Sequence, residues 1–455
     1  MTQTPLACII LAAGKGTRMN STLPKVLHQV AGRSIVHHVL AAAGALQPER
    51  VIVVVGPEMA AVSAAVAPVP TVIQAQQRGT ADAVLAARAA LAGFTGTVLV
   101  LVGDTPLITP ATLRALVAAR EGAGDPAVAV LGMHVTGPNA YGRLVRDGDG
   151  GLDRIVEFLD ATPEQRQITL CNSGLLAFCG RRLFGLLDQI KPDNAKGEYY
   201  LTDAVAVARA AGARCVVVEG AAEDVAGVNS RAELAAVEAS LQRRLRASAM
   251  AGGATLIDPD TVYLSADTVL GRDIVVGPHV VFGPGVSVGD AVEIKPFCHF
   301  EGVQIESGAV IGPFARLRPG STVGAGAHVG NFVEIKNSQV AAGAKINHLS
   351  YIGDATIGAR VNVGAGTITC NYDGFGKYRT EIGAGAFIGS NTALVAPVTV
   401  GAGAIIGAGS VITQDVAPDA LAIARGRQAD FPARAPAIRA LRQAAKAAKA
   451  KLDAI

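Results

Sequence analysis

The sequence predicts two folds in series: an α/β, Rossmann-like domain with a mostly parallel sheet, then a parallel β-helix. Three observations carry this. Up to about residue 229, continuous apolar runs alternate with stretches of helical spacing. Beyond about residue 251 the hydrophobic period becomes six residues. Between them, residues 230–248 (SRAELAAVEASLQRRLRAS) carry charges on a helical period and read as a connecting helix. The expected organisation is an N-terminal domain over 1–229, a linker helix over 230–250, and a second domain over 251–455 with a helical tail.

In the first domain, strands are expected at 7–12, 51–55, 98–102, 127–132 and 214–218. Ala-rich helices are expected at 34–46, 81–92 and 111–120. Strands that are apolar throughout, rather than alternating, belong to a sheet covered on both faces. Such a sheet takes ligands at the carboxyl ends of its strands.

In the second domain, the units IGAGAF, IGSNTA, LVAPVT, VGAGAI and IGAGSV start at 382, 388, 394, 400 and 406. The same register marks 276, 282, 288, 294 and 300, then resumes at 305 and runs through 311, 317, 323, 329 and 335. One-residue shortfalls at 340 and 357 are loop adjustments within one repeat. A sustained hexapeptide period is the signature of a parallel β-helix. The apolar residue points inward and the small residue permits the tight corner. Three hexapeptides make a coil, so residues 251–426 supply about ten coils at the usual strand spacing. Residues 370–381 (CNYDGFGKYRTE) break the period and must leave the stack as a loop. The tail from 433 to 455 holds six basic residues and one acid, and is expected to be helical.

Composition narrows the partners. Half of the 455 residues are hydrophobic and 17% are charged, which suits packed cores rather than a disordered chain. The net charge of +3 is too weak a bias to imply nucleic acid or a membrane surface. Six cysteines lie far apart without a CxxC pair, as buried thiols of a reducing, cytoplasmic compartment do. The N-terminus lacks a basic region before a long apolar one, so no signal peptide is expected. No apolar stretch is long enough for membrane insertion.

Residues 14–25, GKGTRMNSTLPK, follow the first strand and read as a phosphate cradle. A P-loop requires a Lys-Ser/Thr pair that is missing here. The dinucleotide fingerprint has Gly14 and Gly16 but meets Met19 at its third position, where close helix packing excludes a side chain. The nucleotidyltransferase signature L-A-A-G-x-G-T-R-M is matched throughout from Leu11 to Met19, and Pro24-Lys25 closes it. A Gly-rich turn offers backbone N–H groups to phosphate oxygens. Lys15, Arg18 and Lys25 add full positive charge for a triphosphate and its departing pyrophosphate.

With both motifs in this order, the chain resembles the bifunctional bacterial N-acetylglucosamine-1-phosphate uridylyltransferase / glucosamine-1-phosphate N-acetyltransferase family. The likeness runs from the N-terminal signature to about residue 427. It implies an α/β Rossmann-like nucleotidyltransferase domain followed by a left-handed parallel β-helix. It also implies two activities: acetylation of glucosamine-1-phosphate by acetyl-CoA, and transfer of UMP from UTP to N-acetylglucosamine-1-phosphate. The product, UDP-N-acetylglucosamine, is a precursor of peptidoglycan and lipopolysaccharide.

The resemblance then assigns roles. Leu11, Ala12, Ala13, Gly14 and Lys25 match the nucleotide cradle, with Arg18 and Lys25 stabilising the transferred phosphate. Gln74, Gly79 and Thr80 match the uracil-reading segment, and Gly103 a further substrate position. Asp104 and Asn229 match two ligands of Mg2+, an ion that accepts hard oxygens together with substrate phosphates. Taken alone, Asp104 could equally cap a helix. Gly142, Glu157 and Asn172 match the sugar site. The family's Tyr-Gly-Asp reads Val102-Gly103-Asp104 here, and its Asn-Thr-Gly reads Asn172-Ser173-Gly174; both keep the polar groups that matter.

In the β-helix, His348 matches the general base of acetyl transfer, a step suited to a group that titrates near neutrality. Arg318 and Lys336 match the grip on the sugar phosphate, and Tyr351 and Asn362 the contacts that place the sugar. Ala365, Asn371, Tyr372, Ser390, Ala408 and Arg425 match the lining of the acetyl-CoA site or the amine. The spacings of 318, 336, 348 and 362 are expected to stack these residues along one edge. The family also implies a homotrimer, with the acetyl-CoA slot between subunits. Two other readings remain at this stage: a single-activity nucleotidyltransferase whose β-helix only assembles it, and a non-catalytic assembly protein.

Overall fold

A computed structural model describes residues 4–452. The chain divides into two compact units, one ending at Ser287 and one beginning at Val288.

The first unit is built on a twisted sheet in the order Cys215–Gly220, Val128–His134, Leu170–Cys179, Thr97–Val102, Leu6–Leu11, Arg50–Val55, Thr71–Ile73. All neighbours run parallel except Leu170–Cys179, which is antiparallel to both strands beside it. Its central strands are buried on both faces, as their unbroken apolar runs predict. The five expected strands and the helices Ile35–Gly44 and Pro110–Arg120 form within a few residues of their expected limits. The 81–92 stretch instead splits into a short helix, Thr80–Leu85, and a 3-10 turn, Ala89–Leu91. The 230–248 stretch forms the helix Arg231–Ala251, whose N-cap Ser230 accepts from the Glu233 backbone N–H. The unit also takes in the first hexapeptide strands, from Thr255–Leu256 to Val281–Phe282.

The second unit is a left-handed parallel β-helix of two- to four-residue strands. Each strand pairs in register with the one a coil away, as in Val310↔His328 and Ile311↔Val329. The hexapeptide register holds: Ile294, Phe300, Ile305, Ile311, Leu317, Val323, Val329 and Ile335 are all buried. So are Val340 and Ile357, at the two one-residue shortfalls. Several corners turn through left-handed backbone, at Asn337 (φ 45°), Leu349 (φ 50°) and Asp354 (φ 49°) among others. The expected insertion leaves the stack after Cys370. It closes on itself through a Tyr372↔Lys377 bridge, with Phe375 fully in solvent, and returns at Thr380. The tail forms the helix Arg434–Leu452; residues 453–455 of the expected tail lie outside the described residues.

The close coil spacing is strictest at Gly330. A Cβ built there would sit 1.9 Å from the Asn347 carbonyl oxygen, an atom of the next coil's backbone. Gly330→Ala is therefore expected to destabilise the β-helix by about 1–3 kcal/mol. Thermal unfolding checks it: the midpoint falls by several degrees, whereas an unchanged midpoint would mean that the coils can separate at no cost.

Candidate functional site

Parallel pairing builds the first site. The register Leu11↔Val102 sets two strand ends side by side, and Gly103 N–H donates to the Leu11 carbonyl at 2.9 Å. The loops that follow, Ala12–Gly14 and Gly103–Asp104, therefore open at one place. Ala12, Ala13, Gly14 and Asp104 line a cleft of about 620 Å³ that also holds Lys25, Gln74, Gly79 and Thr80, while Gly103 is not among its lining residues. Arg18 is exposed on the turn Thr17–Met19 and is not among the residues lining this cleft; Lys15 is.

Lys25 is only 9% exposed, on the short turn that follows Pro24. Its Nζ donates to Asp104 Oδ2 at 2.5 Å and to Asn229 Oδ1 at 2.9 Å. Asn229 is held there from two sides. Val228 N–H donates to the Asp104 carbonyl at 2.9 Å. Asn229 N–H donates to Glu233 Oε2 at 2.7 Å, in the first turn of the Arg231–Ala251 helix. Two hard oxygens thus converge on one cationic group, with the ammonium standing where a cation belongs. This donor pair fits Mg2+, which usually takes one or two protein oxygens and completes its shell with water and phosphate.

The Gln74 end of the cleft is equally constrained. Gln74 Nε2 gives its hydrogens to the Gly79 carbonyl at 2.9 Å and to Asp82 Oδ2 at 3.0 Å. The side-chain carbonyl is the part of the amide left for a ligand. Burial works to raise Asp82, but hydrogen bonds from Gln74 and Arg78 outweigh it and hold the carboxyl below its ordinary value.

The three expected sugar residues also come together. Asn172 N–H donates to the Gly142 carbonyl at 2.8 Å. A Cβ on Gly142 would lie 3.3 Å from the Glu157 carboxyl, so glycine keeps this approach open. Glu157 accepts from Thr202 Oγ1 at 3.1 Å. Burial, then the charges of Glu233 and Asp104, push up the hydroxyl of Tyr141 beside Gly142, which ties this loop to the Asp104 end of the cleft. Burial also raises Glu157. Burial, with the charges of Glu157 and Asp160, pushes Asp203 up to about 6.

In the second unit the expected single edge becomes two. A repeat of one whole coil returns to the same edge, but His348 lies two hexapeptides beyond Lys336 and so falls at another corner. Arg318 and Lys336 sit at the ends of paired strands, and Arg318 N–H donates to the Ile335 carbonyl at 2.8 Å. His348 ends the strand Lys345–His348, in register with Asn331 and in the same sheet as Asn362. Below it the edge continues through positions the sequence also singled out. Gly366 N–H donates to the His348 carbonyl, Asn391 N–H to Ala365, and Gly409 N–H to Ser390, while Arg425 Nη1 donates to the Ala408 carbonyl at 2.6 Å. The strand Tyr351–Gly353 runs between the two edges and carries Tyr351.

His348 Nδ1 lies 2.8 Å from Asn331 Oδ1. With Nδ1 donating to that carbonyl, Nε2 keeps the lone pair. Arg318 Nη1 donates to Glu334 Oε1 at 2.8 Å. The lysine from the insertion, Lys377, depresses Lys336 most strongly, with burial adding to it, while Asp354 works the other way. Asn371 is buried at the root of the insertion; Tyr372 is 61% exposed, its hydroxyl donating to the Gly374 carbonyl at 2.7 Å. Asn331, Glu334, Asp354 and Lys377 were not expected from the sequence. The coil period offered a signal for one of them, since Asn331 precedes His348 by 17 residues.

Comparison with known proteins gives the same two parts. A MobA-like NTP transferase domain model matches residues 8–191. A bacterial transferase hexapeptide model of six repeats matches residues 302–337 and 379–414. The chain is 64% identical over 423 residues to the bifunctional protein GlmU of Rhodospirillum rubrum, covering 93% of this chain and 95% of that one. It is 61% identical over 449 residues to the bifunctional protein GlmU of Paramagnetospirillum magneticum, covering 99% and 100%. The bifunctional protein GlmU of Xanthobacter autotrophicus is 58% identical over 450 residues, covering 98% and 100%.

The Asp203 shift has a consequence for stability. A carboxyl raised by folding is unfavourable once ionised. Its contribution is fully present below the ordinary value of 3.8 and is lost as pH rises through about 6. Asp203→Asn is expected to be more stable than the parent chain at pH 7.5, with the gap closing at about pH 4. Paired melting curves at the two pH values check this, and equal midpoints at pH 7.5 contradict it.

Proposed function

The chain belongs to the bifunctional GlmU family, and on that premise we propose how its residues divide two reactions between them. It is a bifunctional enzyme. It acetylates glucosamine-1-phosphate with acetyl-CoA and transfers UMP from UTP to N-acetylglucosamine-1-phosphate. UDP-N-acetylglucosamine and pyrophosphate are the products, the former feeding peptidoglycan and lipopolysaccharide synthesis. We assign uridylyl transfer to residues 1–229, linkage to 230–250 and acetyl transfer to 251–455.

For uridylyl transfer, the observation that carries the reading is the convergence of Asp104 and Asn229 on the Lys25 ammonium. Asp104 and Asn229 would hold Mg2+, and Lys25 would move onto the triphosphate. Bound there, the ion neutralises charge on the phosphates and orients them. Leu11, Ala12, Ala13 and Gly14 cradle the nucleotide, and Gly103 borders it. Gln74, Gly79 and Thr80 read the uracil; the pinned Gln74 amide meets the base as an acceptor. Gly142, Glu157 and Asn172 hold the sugar. The sugar phosphate oxygen attacks the α-phosphorus in line, and Arg18 and Lys25 stabilise the charge on the departing pyrophosphate.

For acetyl transfer, His348 Nε2 takes a proton from the glucosamine amine as its nitrogen attacks the thioester carbonyl; the C–S bond then breaks, and CoA leaves as the thiol with that proton. Asn331 holds the ring so that Nε2 is the base. Arg318 and Lys336 bind the sugar phosphate, and Tyr351 and Asn362 orient the ring. Asn371, Tyr372 and the edge Ala365, Ser390, Ala408 and Arg425 bind acetyl-CoA, its small residues leaving room for the pantetheine arm. Close approach of Lys377 lowers Lys336, and an incoming phosphate dianion relieves that repulsion.

We also propose a homotrimer in the cytoplasm. Phe297, Phe314 and Phe332 stack along one corner at 4.9 and 5.0 Å, each about half exposed, with Leu349 61% exposed on the next coil. An apolar ridge of this kind suits burial against another subunit. All six cysteines are free thiols. No helix among the described residues is long and apolar enough to cross a membrane.

Single substitutions separate the two sites. His348→Ala is expected to lower acetyl transfer by roughly 10²–10⁴-fold and to leave uridylyl transfer intact. Asp104→Asn is expected to do the reverse, lowering uridylyl transfer by at least about 100-fold. Coupled assays of CoA release and pyrophosphate release read both; acetyl transfer that survives His348→Ala removes the base assignment.

A further inference from the structure

The corner where the insertion leaves the coil holds a buried carboxylate that neither reaction uses. Asp354 is 6% exposed. It follows the strand Tyr351–Gly353, and its N–H donates to the Lys336 carbonyl at 3.0 Å. Its two oxygens each take an amide from a different coil. Asn337 Nδ2 donates to Oδ1 at 2.6 Å. Asn371 Nδ2 donates to Oδ2.

An ionised carboxylate can only accept, so it dictates which end of each amide faces it. Burial works to raise Asp354, but the two amides and the charges of Lys336 and Lys377 prevail, so the group stays ionised at neutral pH. The Asn371 side chain is thereby turned with its NH2 inward. Among the described residues no donor is seen to reach its Oδ1, nor is that oxygen a buried orphan.

We propose that Asp354 is a positioning residue for acetyl transfer: its carboxylate fixes the Asn371 amide so that the Asn371 carbonyl is presented to the site as an acceptor. The proposal rests on the acetyl-transfer reading above. The ligand atom it meets is an N–H donor, which either the substrate amine or the amides of the pantetheine arm can supply. Without the carboxylate, Asn371 can turn over and offer NH2 instead, which repels such a donor. Asp354 is not itself placed against substrate.

Two plainer roles compete, and both are distinguishable. Asp354 could only pin the root of the insertion, where Tyr378 N–H donates to the Asn371 backbone carbonyl at 2.9 Å. It could instead only temper the charge of Lys336 and Lys377, in which case its removal would strengthen phosphate binding.

The test is a double-mutant cycle on the full chain, with steady-state kinetics in both acetyl-transfer substrates. Asp354→Asn is expected to lower acetyl-transfer kcat/KM about tenfold. A raised KM for glucosamine-1-phosphate identifies the amine as the donor; a raised KM for acetyl-CoA identifies the pantetheine arm. In an Asn371→Ala background the same change adds less than about twofold, and uridylyl transfer is unchanged in every variant. Asp354→Glu keeps an acceptor-only group and is expected to stay within about threefold of the parent. A loss that persists undiminished in the Asn371→Ala background overturns the proposal. So does a lowered KM for the sugar phosphate, or a Glu variant as impaired as the Asn one. Full acetyl transfer by Asn371→Ala alone overturns the underlying site reading, and the proposal with it.

Discussion

Parallel strand pairing is the constraint on which both sites depend. In a parallel ladder every strand ends on the same side, so residues that follow successive strands accumulate there. In the first unit this juxtaposes the Leu11 and Val102 ends, and with them the Gly-rich loop and Asp104. In the second unit the same rule acts once per coil. It stacks Asn331 over His348 at one corner, and Arg318 beside Lys336 at another. Neither site needs long excursions of chain to gather its residues. The ladder also satisfies the backbone hydrogen bonds of the short strands, which frees corner side chains for ligands.

The hexapeptide unit was legible because it has one inward residue per strand and little else to confuse it. The buried row from Ile294 to Ile335 follows directly. The strand Leu170–Cys179 was not legible. It carries a register shift between Asn172 and Leu176, with Gly174 at positive φ, so its pattern is interrupted in mid-strand. The hairpin of Arg143–Arg146 with Leu152–Val156 is short and polar, and offered no period to follow. The single-edge expectation for 318, 336 and 348 failed through arithmetic on the coil: only whole-coil spacings share an edge.

The site residues divide in the same way. Those within a contiguous motif, from Leu11 to Lys25, could be read as a string. Asp104 and Asn229 gained meaning only when matched to a family pattern, and folding brings them onto Lys25 across separations of 79 and 204 residues. The carboxylates that hold Asn229, Gln74 and Asn371 in place were silent in sequence. Glu233 reads as an ordinary helix-capping acid, Asp82 as a surface carboxylate and Asp354 as a turn residue. Their roles come from acceptor chemistry: each fixes the direction of an amide or an N–H that would otherwise be free to turn.

The two reactions are joined by their intermediate, since the product of acetylation is the acceptor of the uridylyl group. That link is open to a direct measurement. Supply the chain with glucosamine-1-phosphate, UTP and Mg2+, and follow pyrophosphate release with and without acetyl-CoA. Two activities arranged in this order predict release that depends on acetyl-CoA. Release at the same rate without it would mean that the amine sugar is uridylylated directly, which contradicts that order.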